Sequence, residues 1–233
     1  TFNLARSFRS PSLEERYQYI DLGSLLRIGN PDLFPERGLF FDAGVRLWYP
    51  EFSFSGNVFY NTFADLVTEV PGTYEGRPAL IKTNIGDSRL YGYELSIMYN
   101  FYKDIVVYGN LSYARGEDTK NNANLPQIAP LNGRLGFKFS MFRTLFADIN
   151  SEINADKNYS ASGEVSTAGY ALLNAEFSSM TIKFSKRSRF GATVYGGIEN
   201  IFNKEYRDFL STVRGNITAE PGRNFYLKFK FDF

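Results

Sequence analysis

Residues 225–233 alternate large apolar side chains with mostly polar ones, and this pattern restricts the fold more than any other feature of the sequence. Successive side chains of a β-strand point to opposite faces of a sheet, so the pattern predicts a strand with one apolar and one polar face. The apolar row consists of Phe225, Leu227, Phe229, Phe231 and Phe233. A buried edge strand of a soluble sandwich and a lipid-facing strand of a membrane barrel can both show this alternation. We favour the barrel, because the soluble alternative leaves a large apolar surface at a loose chain end.

The same alternation recurs in pairs of segments that are separated by short turns. Apolar residues occupy alternate positions of 39–49 and of 52–60, on either side of a turn at Pro50 and Glu51. Three further pairs are 93–99 with 107–113, 135–141 with 145–153, and 170–185 with 190–198. In the last pair the apolar phase slips between Phe177 and Met180, which indicates a bulge at Ser178 and Ser179. With an opening strand at 1–8 and a closing strand at 225–233, the sequence predicts about ten strands.

The predicted connections alternate between short and long. The turns near Pro50, Lys103, Arg143 and Arg187 are short. The intervening links are long and rich in Gly, Asn, Pro and charged residues: 9–35, 69–79, 117–128, 156–168 and 203–221. Bacterial outer-membrane barrels have short turns on the periplasmic side and long loops outside the cell. The fold class predicted is therefore all-β, a transmembrane antiparallel up-and-down β-barrel with about ten strands present.

The two faces of the predicted strands differ in the side chains that they carry. Tyr60, Tyr93 and Tyr113 lie near the loop ends of their strands, as expected of an interfacial aromatic girdle. Polar and charged residues of the opposite face are expected to face a wet lumen: Asp42, Arg46, Glu94, Arg134, Lys138, Asp148, Glu152, Glu176, Glu199, Lys228 and Lys230.

Composition excludes several other classes of protein. The mean hydropathy is -0.29, and no apolar stretch is long enough for a membrane-spanning helix. The formal net charge is +1 and no basic run occurs, so no nucleic-acid partner is expected. The chain has no cysteine, which excludes disulfides and cysteine-zinc sites. It starts at Thr1 without a signal peptide, so we expect an export signal to have been removed or to be missing upstream.

Several segments resemble motifs of one family, the TonB-dependent outer-membrane receptors. Residues 5–17 (ARSFRSPSLEERY) and 29–36 (GNPDLFPE) resemble paired motifs of that family's barrel. Residues 199–207 (ENIFNKEYR), 221–226 (PGRNFY) and the final Phe233 resemble its last two strands and the loop between them. A further pattern of the family is matched by 84–86 (NIG), followed by 92–94 (GYE). The resemblance covers essentially the whole chain, in the family's order.

The resemblance implies a 22-stranded barrel whose lumen holds an amino-terminal plug. It further implies import of a scarce nutrient, such as a ferric siderophore, across the outer membrane of a Gram-negative bacterium, energised through TonB. Because only about ten strands are predicted, we expect residues 1–233 to form the carboxyl-terminal portion of such a barrel, with the plug, the TonB contact and the amino-terminal strands absent from this chain. The alternative is a self-contained small outer-membrane barrel that acts as an adhesin or a passive pore.

No catalytic site or cofactor is expected. Enzymes that live in outer-membrane barrels rely, as families, on histidine, and this chain has none. Paired carboxylates such as Glu14 and Glu15 could transfer protons, but solvation in a loop explains them better. No P-loop, G-x-S-x-G or dinucleotide-binding motif occurs, and no loop has the oxygen-ligand spacing of a calcium site.

Candidate ligand-binding residues lie in the predicted extracellular loops. An anionic siderophore suits outward arginine and tyrosine side chains, and we expect such groups at Arg16, Tyr17, Tyr19, Tyr74 and Arg77. Haem receptors that resemble this chain carry a histidine between the first two motifs, where this chain has Tyr17 and Tyr19, which disfavours haem. A solvated loop surface is the alternative for all five residues, and the identity of the nutrient stays open.

The terminal phenylalanine has an expected role in assembly. By resemblance, a final Phe233 with apolar residues at alternate preceding positions (Phe225, Leu227, Phe229 and Phe231) is read by the barrel-assembly machinery. Contact with outer-membrane lipid explains the same residues, and the two roles are compatible.

Overall fold

The computed structural model describes residues 1–102, 104–141, 144–183, 190–212 and 217–232. Its elements in chain order are β1 (Phe2–Arg9), α1 (Leu13–Tyr17), β2 (Tyr19–Asp21), β3 (Leu26–Ile28), β4 (Glu36–Trp48), β5 (Phe52–Ala64), β6 (Leu66–Tyr74), β7 (Arg77–Ile85), β8 (Ser88–Tyr102), β9 (Ile105–Asp118), β10 (Ala123–Asn124), β11 (Asn132–Met141), β12 (Leu145–Asn154), β13 (Tyr170–Ser179), β14 (Ile182–Lys183), β15 (Gly191–Glu199), α2 (Phe209–Thr212) and β16 (Asn224–Asp232). Within these ranges, neither helix is long and apolar enough to cross a membrane.

Ten long strands form one antiparallel wall. Their order is β1-β4-β5-β8-β9-β11-β12-β13-β15-β16, and the two-residue strands β10 and β14 pair with β9 and β15. Strands of the wall that follow one another along the chain are hydrogen-bonded neighbours in it, as in an up-and-down barrel. The predicted fold class and the predicted number of strands are therefore confirmed. Among the described residues no ladder joins β1 to β16, so the wall is open between these two strands.

The register of the ladders gives the wall one apolar and one polar face. Leu95 pairs with Gly56 and Leu111, whereas its neighbour Glu94 pairs with Asn57 and Ser112. All eleven side chains predicted to face the lumen lie on the polar face in this register. The apolar side chains of β16 are more than half exposed: Phe225, Leu227, Phe229 and Phe231. Phe233 lies outside the described residues.

A second, smaller sheet stands on the long-loop side of the wall, with the strand order β2-β3-β7-β6. The prediction that 69–79 is a loop is wrong, because β6 and β7 form a hairpin over this range. Its turn is Glu75-Gly76, with φ values of 49° and 78°, as a two-residue hairpin turn requires. Pro71 made the segment look like a loop, but β6 is an edge strand, where a missing N–H is tolerated.

The small sheet has its own core. Leu26 and Ile28 of β3 and Ala79 of β7 are buried together, with Tyr74 and Ile81 packed against them. The predicted loop 9–35 supplies half of this sheet through β2 and β3, in addition to the short helix α1.

The predicted irregularity after Phe177 is confirmed. Ser178 pairs with Tyr195, but Ile182 pairs with Ala192, so one extra residue is accommodated between the two pairs. The side chain of Ser179 accepts a hydrogen bond from Val194 N at 3.0 Å, where a carbonyl would otherwise serve. The turns predicted at Arg143 and Arg187 lie outside the described residues, as does Lys103 of the turn between β8 and β9.

Two long loops of the wall, 119–131 and 155–169, are joined through a buried lysine. Lys157 is 0% exposed, and its Nζ donates a hydrogen bond to the carbonyl of Ile128. The ammonium lies 4.2 Å from the ring centroid of Tyr159 and 4.5 Å from that of Phe209. These contacts compensate in part for the loss of water around the charge, although burial still lowers the pKa of Lys157.

Candidate ligand-binding site

A cleft of about 750 Å³ opens at the junction of the small sheet, the two long loops and the polar face of the wall. We call it the loop cleft. Its lining comprises residues of β3, β6, β7 and the ends of β5 and β8, facing residues 125–128 and 162–165. Drug-sized ligands bind in cavities of about this size.

The small sheet contributes a charged side to the loop cleft. Glu69 and Lys82 are directly paired across β6 and β7, and Arg27 reaches Glu69 from β3. The distances are 2.7 Å from Arg27 Nη2 to Glu69 Oε2 and 3.3 Å from Lys82 Nζ to Glu69 Oε1. Burial opposes ionisation of Glu69, but the hydrogen bonds from Arg27 and the charge of Lys82 hold its pKa below the usual value. Two cations thus share one carboxylate on this side of the loop cleft, and the second carboxylate of the lining, Glu164, lies on the opposite side.

On the opposite side of the loop cleft, Glu164 joins the two long loops. Its carboxylate accepts hydrogen bonds from the backbone N–H of Gln127, at 2.6 Å, and of Ala161, at 2.9 Å. Gln127 has a φ of 61°, in the left-handed region that residues other than glycine rarely adopt. The bond to Glu164 stabilises this backbone conformation and fastens loop 119–131 to loop 155–169.

The floor of the loop cleft is apolar and belongs to the wall. Phe63 of β5 and Leu90 of β8 line it from the polar face, and Leu125 is buried beside them. Gly116 makes the close approach of Leu125 possible, because a methyl group on Gly116 would lie 2.9 Å from Leu125 Cβ. The loop cleft therefore lies at the loop end of the polar face of the wall.

The residues predicted to bind ligand lie on the small sheet and on α1, and none of them lines the loop cleft. Tyr19 and Tyr74 meet edge to face, with their ring centroids 6.2 Å apart. Arg77 is held by both carboxylate oxygens of Asp21, at 2.8 and 2.9 Å, and by the carbonyl of Gly23. Its guanidinium thus stabilises the sheet, and hydrogen bonding from Arg77 lowers the pKa of Asp21 to about 2.

Arg16 and Tyr17, at the end of α1, have other contacts than Tyr19, Tyr74 and Arg77. Arg16 donates a hydrogen bond from Nη2 to the carbonyl of Leu33 at 3.2 Å, and Tyr17 is 64% exposed. The charged side chains of the loop cleft are not indicated by the alternation pattern, which predicts loops at 9–35 and 69–79. The signal that could have found them is the pair of β-prone segments around Glu75-Gly76, which places Glu69 opposite Lys82.

The first of the family-like motifs fixes where the small sheet joins the wall. Arg9 at the end of β1 binds Glu36 of β4, with 2.5 Å between Arg9 Nε and Glu36 Oε2, and also binds Glu15 at 2.8 Å. Glu15 forms a capping box with Ser12 at the start of α1. The second oxygen of Glu36 accepts a hydrogen bond from Val67 N of β6 at 2.8 Å. The motif therefore ties β1, α1, β4 and β6 together.

Asparagines in the other motifs also act on the backbone. The side chain of Asn84 exchanges two hydrogen bonds with the backbone of Phe34, at 2.8 and 3.1 Å, and donates one to the carbonyl of Asp65. Asn200 likewise exchanges two hydrogen bonds of 2.7 Å with the backbone of Lys204. These motif residues shape the junctions between strands and loops.

The described residues contain no group of three or more His, Cys, Asp or Glu side chains that could hold a metal ion. On the polar face, hydroxyl–carboxylate pairs recur: Tyr108 donates to Asp148 at 2.8 Å, and Tyr226 donates to Glu176 at 2.6 Å. These pairs line the wall with fixed polar groups below the loop cleft.

An antiparallel wall with an exposed apolar face, a polar opposite face and long folded loops at one end defines a transmembrane β-barrel of the outer-membrane type. Residues 1–201 match the family profile described as "TonB dependent receptor-like, beta-barrel". The chain belongs to the TonB-dependent receptor family, and its cellular location is the outer membrane of a Gram-negative bacterium.

Solved structures with the same fold include receptors and transporters. The copper transporter OprC is 20% identical, with a TM-score of 0.82 over 100% of this chain and 36% of its own. The siderophore receptor PirA from Pseudomonas aeruginosa is 18% identical, with a TM-score of 0.68 over 99% of this chain and 38% of its own. The ferric enterobactin receptor PfeA from Pseudomonas aeruginosa, in complex with enterobactin, is 16% identical, with a TM-score of 0.71 over 99% and 38%. This chain thus spans less than two fifths of their length, and a search of curated proteins found no match.

Proposed function

We propose that residues 1–233 form the carboxyl-terminal part of the barrel of a TonB-dependent transporter that imports an anionic metal chelate of the ferric siderophore class. The plug domain and the remaining strands then belong to a part of the receptor outside this chain. Energy reaches the barrel through the contact of that plug with the TonB complex, and the chain itself carries out no catalysis.

The observation that carries the proposal is the pair of cations, Arg27 and Lys82, that line the small-sheet side of the loop cleft around Glu69. A guanidinium and an ammonium are hydrogen-bond donors that cannot coordinate a metal ion. They suit the oxygen-rich surface of an anionic chelate better than a bare copper ion. The descriptions of PirA and PfeA as siderophore and ferric enterobactin receptors agree with this class of ligand.

Transport assays in a strain that lacks the intact receptor test the proposal. We measure uptake of radiolabelled ferric siderophores, cobalamin, copper and glycans. The strain should lose uptake of the ferric siderophores and keep uptake of the other three. A plasmid copy of the receptor should restore ferric siderophore uptake. Restored uptake should disappear when the TonB complex is removed. Uptake that persists without TonB would instead indicate a passive pore, and loss of cobalamin, copper or glycan uptake alone would assign another nutrient.

Charge variants test the part played by the loop cleft. The double change Arg27→Gln and Lys82→Gln should weaken ligand binding by the intact receptor on the order of tenfold, because two donors to the anion are lost from partly exposed positions. Lys204→Gln is the matched control, since Lys204 is an exposed cation in a different loop. Equal affinities for both variants, measured by fluorescence quenching, would remove the loop cleft from the pathway.

A further inference from the structure

The buried ammonium of Lys157 lies where three long loops meet. Its Nζ donates a hydrogen bond to the carbonyl of Ile128 in loop 119–131, and the ring of Tyr159, on its own loop, lies beside it. A second ring belongs to Phe209 of α2, in the third loop, and this side chain is 1% exposed. Separation of the loops at this point exposes the ammonium to water.

Lys157 is buried without a counter-charge in contact. Among the described residues no carboxylate forms an ion pair with it, and two charges act on it from a greater distance. Glu164, on the same loop, favours the charged form of Lys157, and Arg115 of β9 opposes it. The guanidinium of Arg115 binds Glu117 at 2.8 Å and lies 5.1 Å from the ring centroid of Tyr159. Two cations thus approach the ring of Tyr159.

Two further carboxylates near this junction in the sequence have partners of their own. Asp156, next to Lys157, accepts a hydrogen bond from Gly169 N at 2.7 Å. Asp208, which precedes α2, accepts one from the hydroxyl of Tyr170 at 2.9 Å. These bonds hold both carboxylates at other groups than Lys157.

The other titratable groups of these loops keep one form between neutral pH and pH 10. Lys120, the one charged residue of loop 119–131, is exposed. Burial raises the pKa of Tyr159 and of Tyr206 above the ordinary value of 10.0, so both phenols stay neutral in the folded loops. We therefore expect Lys157 to be the group whose charge changes here in this range.

We propose that Lys157 is a pH switch for the three loops, which separate more readily when its ammonium is charged and close when the amine is neutral. Water stabilises an ammonium more than one carbonyl and two rings do, so the charged form favours separation. The neutral amine loses much less on burial and favours the closed arrangement. Residues 125–128 and 162–165 of two of these loops line the loop cleft, so external pH sets how often this side of the cleft opens.

The direction of the switch follows from the two states of the side chain. In the closed arrangement burial lowers the pKa of Lys157 below its ordinary value of 10.5. In the open arrangement the side chain is in water, has the ordinary pKa and binds the proton more strongly. The closed arrangement therefore gains stability as the pH rises from the lowered pKa toward 10.5, by at most about tenfold per pH unit for one proton.

Amide hydrogen exchange of Gln127 in the intact receptor, measured by quenched flow, reports separation of the loops. Its N–H donates to Glu164 across two of them, so it exchanges when they part. Corrected for the intrinsic rate, protection of Gln127 should rise between pH 7 and pH 10. Leu125 is the internal reference, since its N–H donates to the carbonyl of Gly116 on β9 at 2.9 Å and not to another loop.

Lys157→Met separates the switch from a purely structural role of the lysine. It should raise the protection of Gln127 at pH 7, by about tenfold for each pH unit by which burial lowers the pKa of the lysine. Its advantage over the wild type should shrink toward pH 10. Protection at pH 7 that is equal to or below that of the wild type would overturn the proposal, because the charged contacts would then hold the loops together.

Two control variants and the reference amide complete the test. Lys157→Arg keeps its charge below about pH 12, so the protection of Gln127 should not rise with pH. Lys204→Met removes an exposed lysine of the third loop and should respond as the wild type does. If Lys157→Met also loses protection at Leu125, its loop has misfolded and the wild type decides: protection of Gln127 that does not rise between pH 7 and pH 10 contradicts the switch.

Discussion

The hydroxyl of Tyr226 on β16 reaches across β15 and donates a hydrogen bond to Glu176 Oε2 on β13, at 2.6 Å. The ring passes over Gly197, which is paired with Tyr226 on one side and with Glu176 on the other. A methyl group on Gly197 would lie 2.3 Å from Tyr226 Cζ. Gly136 provides the same space for Tyr108, whose hydroxyl bonds to Asp148. Glycine opposite tyrosine is therefore a repeated means of joining two strands across the strand between them on the polar face.

Gly197→Ala should destabilise the receptor by about 1–3 kcal/mol, because the new methyl group displaces the ring of Tyr226 and breaks its bond to Glu176. Gly196→Ala is the control, since its methyl group would lie 3.8 Å from Leu227, an ordinary contact. The measurement is the free energy of unfolding of the intact receptor in denaturant. Equal stability of the two variants would show that the tyrosine adapts without loss.

Phe229→Arg should lower the free energy of unfolding by roughly 2 to 4 kcal/mol if this residue lies at the middle of the bilayer, because the arginine charge then lies in hydrocarbon. Phe229 pairs with Val194 on that face and is 56% exposed. Lys228→Arg, on the polar face, should leave stability nearly unchanged. Reversible unfolding in lipid vesicles measures both, and a negligible cost at Phe229 would mean that the faces have been assigned the wrong way round.

Deletion of Phe233 should lower the amount of receptor in the outer membrane, because the resemblance assigns the terminal phenylalanine to recognition by the assembly machinery. Immunoblots of outer-membrane fractions at native expression measure this amount. Asp232→Asn is the control: its exposed ion pair with Lys230, at 3.0 Å, contributes little to stability. An unchanged amount of receptor in the outer membrane after the deletion would contradict the assembly role and support lipid contact as the role of Phe233.

Acid should loosen the start of α1. Hydrogen bonding from Arg9 lowers the pKa of Glu15 from its ordinary value of 4.5 to about 2. A carboxylate with a lowered pKa in the folded state stabilises the fold above the unfolded pKa, and this contribution is lost as the pH falls from about 4.5 toward 2. Amide hydrogen exchange, corrected for its intrinsic rate, should show less protection of Arg16 and Gln18 at pH 3 than at pH 6.

Two variants test the assignment of this pH dependence. Glu15→Gln should reduce protection of α1 at pH 6 and abolish most of the difference between the two pH values. Glu14→Gln should behave as the wild type, since the exposed side chain of Glu14 makes no hydrogen bond or ion pair in the described structure. A wild-type pH response in Glu15→Gln would assign the effect to another group.

The wall could be predicted from the sequence because its determinant is local. Alternation within each segment fixes which face a residue occupies, and short turns such as Pro50-Glu51 fix the pairing of neighbours. The placement of Arg46, Glu94 and Lys228 on the polar face followed directly from this periodicity.

The loop cleft could not be predicted in the same way, because its contacts join distant parts of the chain. Arg27 and Glu69 are 42 residues apart, and Gln127 and Glu164 are 37 residues apart. Proline and glycine at Pro71-Gly72 also concealed β6, whose position at a sheet edge is a property of the tertiary structure. The sequence contains the family-like motifs but does not indicate the structural role of their residues, since Asn84 forms hydrogen bonds with the backbone of Phe34 and Asp65.

The hydrogen bonds of Glu36 and Asn84 also determine which side of the loop cleft can open. Both side chains fasten the base of the small sheet to the segments that lead into the wall, so this sheet cannot swing as a lid without breaking charged and amide hydrogen bonds together. The facing loops lack such a tie to the small sheet among the described hydrogen bonds, and Glu164 couples one to the other. Displacement of the two loops away from the small sheet would therefore break no described hydrogen bond between them and that sheet, whereas displacement of the sheet breaks those of Glu36 and Asn84.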